Sequence, residues 1–133
     1  MIIVFGCGQM GSRLCKDLDE QGETVTVIDP ERAPLEDLAK HFSGRLVMGL
    51  GIDTEVLKRA NIEQADSFIA VSRDINTNIM ASLVAKLIFK VPRVVTRIED
   101  EELVKLYSSM GLEALSPTSQ AAQHIEDLIR EKK

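Results

Sequence analysis

Met1-Ile2-Ile3-Val4-Phe5-Gly6-Cys7-Gly8-Gln9-Met10-Gly11 opens the chain, an apolar run that breaks straight into Gly-x-Gly-x-x-Gly. A strand that feeds three such glycines and then a helix builds a pocket for a nucleotide's phosphates, because backbone N–H groups at a helix N-terminus point at the anion. The glycine pattern alone is short. It calls for two companions: a carboxylate about 20 residues on, and strands that alternate with helices.

Both are present. After Gly11 the apolar residues Met10, Leu14, Cys15 and Leu18 share one face of a helix that ends at Gln21-Gly22. Thr24-Val25-Thr26-Val27-Ile28 is β-branched throughout, reads as a buried strand and stops at Asp29-Pro30. Asp29 lies eighteen residues beyond Gly11, at the strand tip where a dinucleotide fold places the acid that accepts hydrogen bonds from the adenosine ribose. The plainer reading is that Asp29 caps the following helix ahead of Pro30. An acid here also repels a 2′-phosphate, which disfavours NADP.

The alternation continues to the end. A second helix over 31–42 carries Leu35, Leu38, Ala39 and Phe42 inward, and Arg45-Leu46-Val47-Met48 is a third strand leading to Gly49-Leu50-Gly51. Asp53 caps the next helix. Ser67-Phe68-Ile69-Ala70-Val71 is a continuous apolar run suited to the centre of a parallel sheet, and the loop Ser72-Arg73-Asp74 after it should face the glycine loop across the ligand. Arg73 then either touches a phosphate or ribose or is a solvated surface residue. The helix from Ile75 to Lys90 is expected to be the longest, and its apolar positions exceed one packing stripe, so it has either a partner subunit on a second face or a wide core face. A fifth strand at Val94–Ile98, an acidic helix start at Glu99–Glu102, a sixth strand at 112–115 and a final helix over 118–131, with Ala121, Ala122, Ile125, Leu128 and Ile129 inward, complete the pattern. The expected fold is α/β: a Rossmann-like, doubly wound, six-stranded parallel sheet forming a single domain over residues 1–133.

Composition narrows the function. A chain of 133 residues with 44% hydrophobic content holds one real core and no separate substrate domain. Its net charge of -5, with no basic cluster longer than Lys132-Lys133, argues against nucleic acid as a partner. No apolar run approaches the roughly 20 residues of a membrane span, which predicts a soluble, cytoplasmic protein. Cys7 and Cys15 are too far apart for a disulfide and read as free thiols; the lesser alternative for Cys7 is a redox sensor, its pKa lowered by the adjacent helix N-terminus. His41 and His124, the only histidines, fall on helices away from the strand tips and read as surface residues. There is no Cys/His metal spacing, no Gly-x-Ser-x-Gly elbow and no phosphate loop for NTP hydrolysis. An NAD-dependent oxidoreductase therefore keeps its cofactor here and loses its chemistry, leaving a non-catalytic binding domain.

The ordered set of motifs carries more. Val4-Phe5-Gly6-x-Gly8-x-x-Gly11, Val27-Ile28-Asp29, Gly49, Ala65-Asp66-Ser67-Phe68-Ile69-Ala70-Val71 with Asn78 beyond it, Val95-Thr96-Arg97, and Gly111 before Leu115-Ser116-Pro117 together resemble the TrkA N-terminal domain, also called the RCK domain, regulator of potassium conductance. The resemblance implies a cytoplasmic regulatory subunit on the inner face of the cell membrane. It would work with a membrane-embedded potassium transporter or channel subunit and assemble as a homodimer or larger ring through helix 75–90 and its neighbour. The ligand would be NAD(H) or an adenine nucleotide, AMP, ADP or ATP. The residues expected around it are Gly6, Cys7, Gly8, Gln9, Met10 and Gly11 of the loop, Asp29, Pro30 and Arg32 after the second strand, Gly49 and Leu50 after the third, Val71, Ser72, Arg73 and Asn78 around the fourth, and Arg97 on the fifth.

Three positions depart from the family. Gln9 stands where many ATP-responsive relatives have Arg, Leu50 where an Asp contacts adenine, and Thr118 where Glu follows Ser-Pro in a divalent-cation site. They point away from ATP-selective control and from that cation. The family's second, C-terminal ligand domain is not in this sequence, so the chain reads as either a short stand-alone subunit or part of a longer protein. The alternative to regulation is an oxidoreductase-like NAD module with a separate catalytic partner.

Overall fold

Residues 1–131 are described by a computed structural model; Lys132 and Lys133, which close the domain expected over 1–133, lie outside the described residues. The β-branched and apolar runs form the strands β1 (Ile2–Phe5), β2 (Val25–Asp29), β3 (Arg45–Met48), β4 (Ser67–Ala70), β5 (Arg93–Arg97) and β6 (Glu113–Leu115). They make one six-stranded sheet in the order β3-β2-β1-β4-β5-β6, with each neighbouring pair parallel. The order reverses between β1 and β4, as the alternating pattern predicts for a doubly wound sheet. Helices α1 (Gln9–Glu20), α2 (Arg32–Ala39), α3 (Thr54–Arg59), α4 (Ile75–Leu83), α5 (Glu101–Ser109) and α6 (Pro117–Glu131) follow the strands in turn.

Burial on both faces explains the unbroken apolar runs. Every residue of β2 is buried. On one face Val4, Val25 and Val27 meet Cys15 of α1 and Leu35 and Leu38 of α2; on the other, Ile3, Phe5, Ile28 and Phe68 meet Val56 and Leu57 of α3 and Ala81 of α4. Each large side chain withdrawn from water in this way contributes about 1.5–3 kcal/mol. The helix starts follow the expected chemistry. Asp53 accepts from Glu55 N at 2.9 Å, and Asp100 accepts from Glu102 N and Leu103 N at 2.8 and 3.3 Å.

Four expectations need correction. Ala39 is exposed, because α2 ends there and the chain turns before Phe42 enters the core. The helix expected over 75–90 is α-helical only to Leu83; Val84–Ile88 is a π-turn in which Phe89 N donates to Val84 O at 3.3 Å, and Lys90, at φ 57°, ends it. The longest single helix is α6, with 15 residues. Its apolar side chains do not point inward. No residue of α6 is buried, and Ile125, Leu128 and Ile129 are all exposed, because the core closes on Ile98, Leu112 and Ser116 before the helix begins.

The wide-core reading of the helix expected over 75–90 does not hold along its whole length: Met80 of α4 and Leu87 and Ile88 of the π-turn are exposed by 54%, 56% and 60%, and Leu103 and Leu106 of α5 and Met110 just after it are exposed as well.

Gly11 sets how closely α1 crosses β1. A Cβ there would lie 1.7 Å from the Gly6 carbonyl oxygen, a backbone atom with nowhere to move. Gly11→Ala should therefore cost about 3 kcal/mol or more, the upper end of overpacking effects, in urea unfolding. An unchanged midpoint would contradict this packing.

Candidate functional site

The C-terminal ends of β1, β2 and β4 stand level. Phe5 pairs with Ile28 on one side and Ala70 on the other. Gly6 N donates to Ile28 O and Val71 N to Phe5 O, each at 2.9 Å, so the three strand tips share one rim. Above the point where the strand order reverses opens a cleft of about 940 Å³. This is where ligands enter open α/β sheets.

Its floor is the glycine loop. Gly6, at φ 109°, passes so near the β4 loop that a Cβ would sit 2.6 Å from Ser72 N. Gly6 and Gly11 are thus required by the protein's own packing. Gly8 is not: its φ of -78° suits any residue, and nothing lies within 4 Å of a Cβ built on it. Gly8 is also the N-cap of α1, and no side chain caps that helix, so its first backbone N–H groups face the cleft without a carboxylate.

Asp29 and Asn78 hold the two walls. Asp29, buried at the tip of β2, accepts from Cys7 N at 2.7 Å through Oδ2 and from Glu31 N at 2.8 Å through Oδ1. It does not cap α2 itself, whose N-cap is Glu31. Each carboxylate oxygen keeps a second lone pair for a hydroxyl donor. Asn78 is fully buried, and its amide is fully used. Its Oδ1 accepts from Ser72 N at 3.0 Å and Ser72 Oγ at 2.6 Å, while Nδ2 donates to Ser72 O at 2.9 Å and Arg97 O at 3.2 Å.

Of the residues expected around a nucleotide, the cleft is lined by Gly6, Cys7, Gly8, Gln9, Met10, Asp29, Pro30, Leu50, Val71, Ser72, Arg73 and Arg97. Gly11, Arg32, Gly49 and Asn78 are not on its lining. Gly11, in the first turn of α1, packs against Gly6, Arg32 is exposed and pairs with Glu36 at 3.9 Å, and Gly49 packs against Val56. Asn78 positions the β4 loop from beneath. Asp74, on the loop expected to face the glycines, lines the cleft, and so do Phe5, Ser12, Glu31, Ala33, Pro34, Asp37 and Thr77, which the sequence did not single out. Their signal was available, since residues that follow a strand tip or open a helix in this topology face the same crevice as Asp29 and Ser72.

Cys7 and Cys15 are free thiols, as expected, and the structure opposes the redox-sensor alternative for Cys7. The Cys7 thiol is buried and donates to Pro34 O at 3.4 Å. Burial, aided by the Asp29 carboxylate, pushes it up from 9.0 to about 11, and burial takes Cys15 to about 12. Held this high and hydrogen-bonded to Pro34 O, the Cys7 thiol keeps its proton at neutral pH and is not a reactive thiolate. His41 and His124 are exposed, as expected.

The TrkA-N domain family matches residues 2–117. The chain belongs to the TrkA-N family. This TrkA-N chain is 41% identical over 111 residues to the Trk system potassium uptake protein TrkA of Streptomyces coelicolor, covering 84% of this chain and 50% of that one. The GsuK channel bound to NAD superposes with a TM-score of 0.83 at 25% identity, covering 98% of this chain and 23% of that one. GsuK bound to ADP gives 0.82 at 25% identity, covering 99% and 34%. The TrkA-N chain thus spans half or less of the length of each of these proteins. Among its described residues no helix is long and apolar enough to cross a membrane.

The thiols predict a pH signature. Below about pH 9 they are protonated in both folded and unfolded chains and stability is unaffected. From there to about pH 12 the unfolded chain loses thiol protons that the folded chain keeps, so stability should fall as pH rises. Alkylation of Cys7 in the native protein should stay slow until pH approaches 11. Rapid native-state alkylation at pH 7 would contradict the burial.

Proposed function

We propose that this TrkA-N chain is the nucleotide-binding regulatory part of a potassium transport system and carries out no chemistry of its own. The observation that supports this most is Gly8. The fold gives no internal reason for a glycine there, whereas a pyrophosphate lying against the backbone does. The uncapped N-terminus of α1 would receive the phosphates, and Asp29 would accept a hydrogen bond from the adenosine ribose while holding Cys7 N. Pro30, Leu50, Val71, Ser72 and Arg73 would border the bases and sugars, with Asn78, Gly11 and Gly49 acting from below.

The charge of the cleft bears on which nucleotide. Asp29, Glu31, Asp37 and Asp74 face it against Arg73 and Arg97, and Gln9 adds no charge. That balance suits NAD(H), AMP or ADP over the more heavily charged ATP. GsuK structures bound to NAD and to ADP support the same ligand class.

Regulation would work by population shift: a nucleotide biases an assembly only through its different affinity for two states of it. The exposed apolar face of α4 and α5 supports a homodimer or larger ring, and the family supports a membrane-embedded potassium transporter or channel subunit as partner, with this chain on the cytoplasmic side. No observation favours the oxidoreductase alternative.

Calorimetry against NAD, NADH, AMP, ADP and ATP tests the reading. The parent should bind NAD(H) or a short adenine nucleotide without consuming NADH. Gly8→Ala should lose about tenfold or more in affinity while its stability stays within about 1 kcal/mol of the parent. Asp29→Ala should also bind more weakly. Equal binding by the Gly8 variant, or hydride transfer to added substrates, would overturn the proposal.

A further inference from the structure

Arg97 ends β5 on the far wall of the cleft from Asp29, and its bonding is incomplete. Its Nε is buried with no hydrogen-bond partner among the described residues, and its Nη2 reaches Glu99 Oε2 only at 3.5 Å. The backbone is fixed, since its carbonyl accepts from Asn78. What can change partner is the side chain.

Glu99 is shared. The oxygen that meets Arg97 also accepts from Thr118 Oγ1 at 3.1 Å, and Oε1 faces Thr118 N at 3.5 Å. The Glu99 carbonyl accepts from Ser116 Oγ at 3.0 Å. Thr118 stands in the first turn of α6, a helix with no buried residue and hence little besides these contacts and the Ser116 cap to fix its base. One carboxylate therefore connects the cleft to the base of α6.

We propose that Arg97 exchanges Glu99 for an oxygen on the second half of a bound dinucleotide, and that Glu99 then passes wholly to the first turn of α6 and tightens it. The inference rests on the nucleotide reading above and adds to it a trigger and a route. An acceptor in the cleft would relieve the stranded Arg97 donor, which the long Glu99 contact does not. A carboxylate freed from its guanidinium is held by the partial positive charge of a helix N-terminus. The trigger requires a dinucleotide. β2 and β5 are separated by β1 and β4, so Asp29 and Arg97 lie three strand spacings, roughly 14 Å, apart. A mononucleotide anchored at Asp29 ends over the glycine loop.

The test combines calorimetry with amide exchange at Thr118 and Ser119, read by NMR on the parent, Glu99→Gln and Thr118→Val, each with NAD and with AMP. In the parent NAD should slow exchange at these amides severalfold and AMP should not. Glu99→Gln, which releases Arg97 from its competitor, should bind NAD about threefold more tightly, bind AMP as before and lose the exchange response. Thr118→Val, which removes the hydroxyl that competes with Arg97 for Glu99 Oε2, should bind NAD more weakly. Opposite signs in two variants of one contact are not what general damage produces. NAD binding that is no tighter in Glu99→Gln, a response that survives in it, or an equal response to AMP would overturn the relay while leaving nucleotide binding intact. A parent that binds neither nucleotide would overturn the nucleotide reading and the relay together.

Discussion

The molecule depends on how closely three backbone segments pass one another at Gly6. The carbonyl of Gly6 lies where a Cβ of Gly11 would be, and the place of its own missing Cβ is taken by the backbone of Ser72. Two contacts without side chains bring α1 down onto β1 and draw the β4 loop against the glycine loop. The result is a crevice whose floor is backbone N–H and whose walls are strand tips. Any side chain at either glycine would lift one wall away from the floor.

Polar groups lock that arrangement once packing has set it. Asp29 fastens the glycine loop to β2, and Asn78 fastens the β4 loop to β5 with every donor and acceptor of its amide in use. Both are buried, so losing either would strand backbone groups away from water. A cleft held in this way is already in shape before a ligand arrives, and the ligand need not spend binding energy on ordering it. Among the described residues the one buried side-chain polar atom without a partner is Arg97 Nε, in the wall of this cleft. A rigid site with a single under-satisfied side chain concentrates its response there.

Much of this was legible in the residues. The strands were, because β-branched runs buried on both faces have few other ways to fold, and the strand order followed from strict alternation with helices. The location of the cleft came with that order. What failed shares a cause: periodicity reports that a helix has an apolar face, not what covers it. Ile125, Leu128 and Ile129 read as inward on that evidence and are exposed, while the same argument on the helix expected over 75–90 left room for a second face, and Met80 of α4 with Leu87 and Ile88 of the π-turn are exposed. Asn78 entered the expected site through the family resemblance alone, and its four bonds to Ser72 and Arg97 show what the resemblance could not: it fastens the β4 loop to β5. Cys7 illustrates competition between effects. Proximity to a helix N-terminus lowers a thiol pKa, but at this depth burial and the Asp29 carboxylate prevail.

The central claim is that the glycine loop, with an open position at Gly8 and no cap on α1, is shaped for the phosphates of a nucleotide. Titration of the isotopically labelled chain with NAD, followed amide by amide by NMR, addresses it most directly. The account predicts that the largest shifts fall on Gly8, Gln9 and Met10, with smaller ones at Glu31, Ser72 and Arg97 along the two walls. Saturable shifts confined to the exposed faces of α4 or α6, with the glycine loop unmoved, would contradict it.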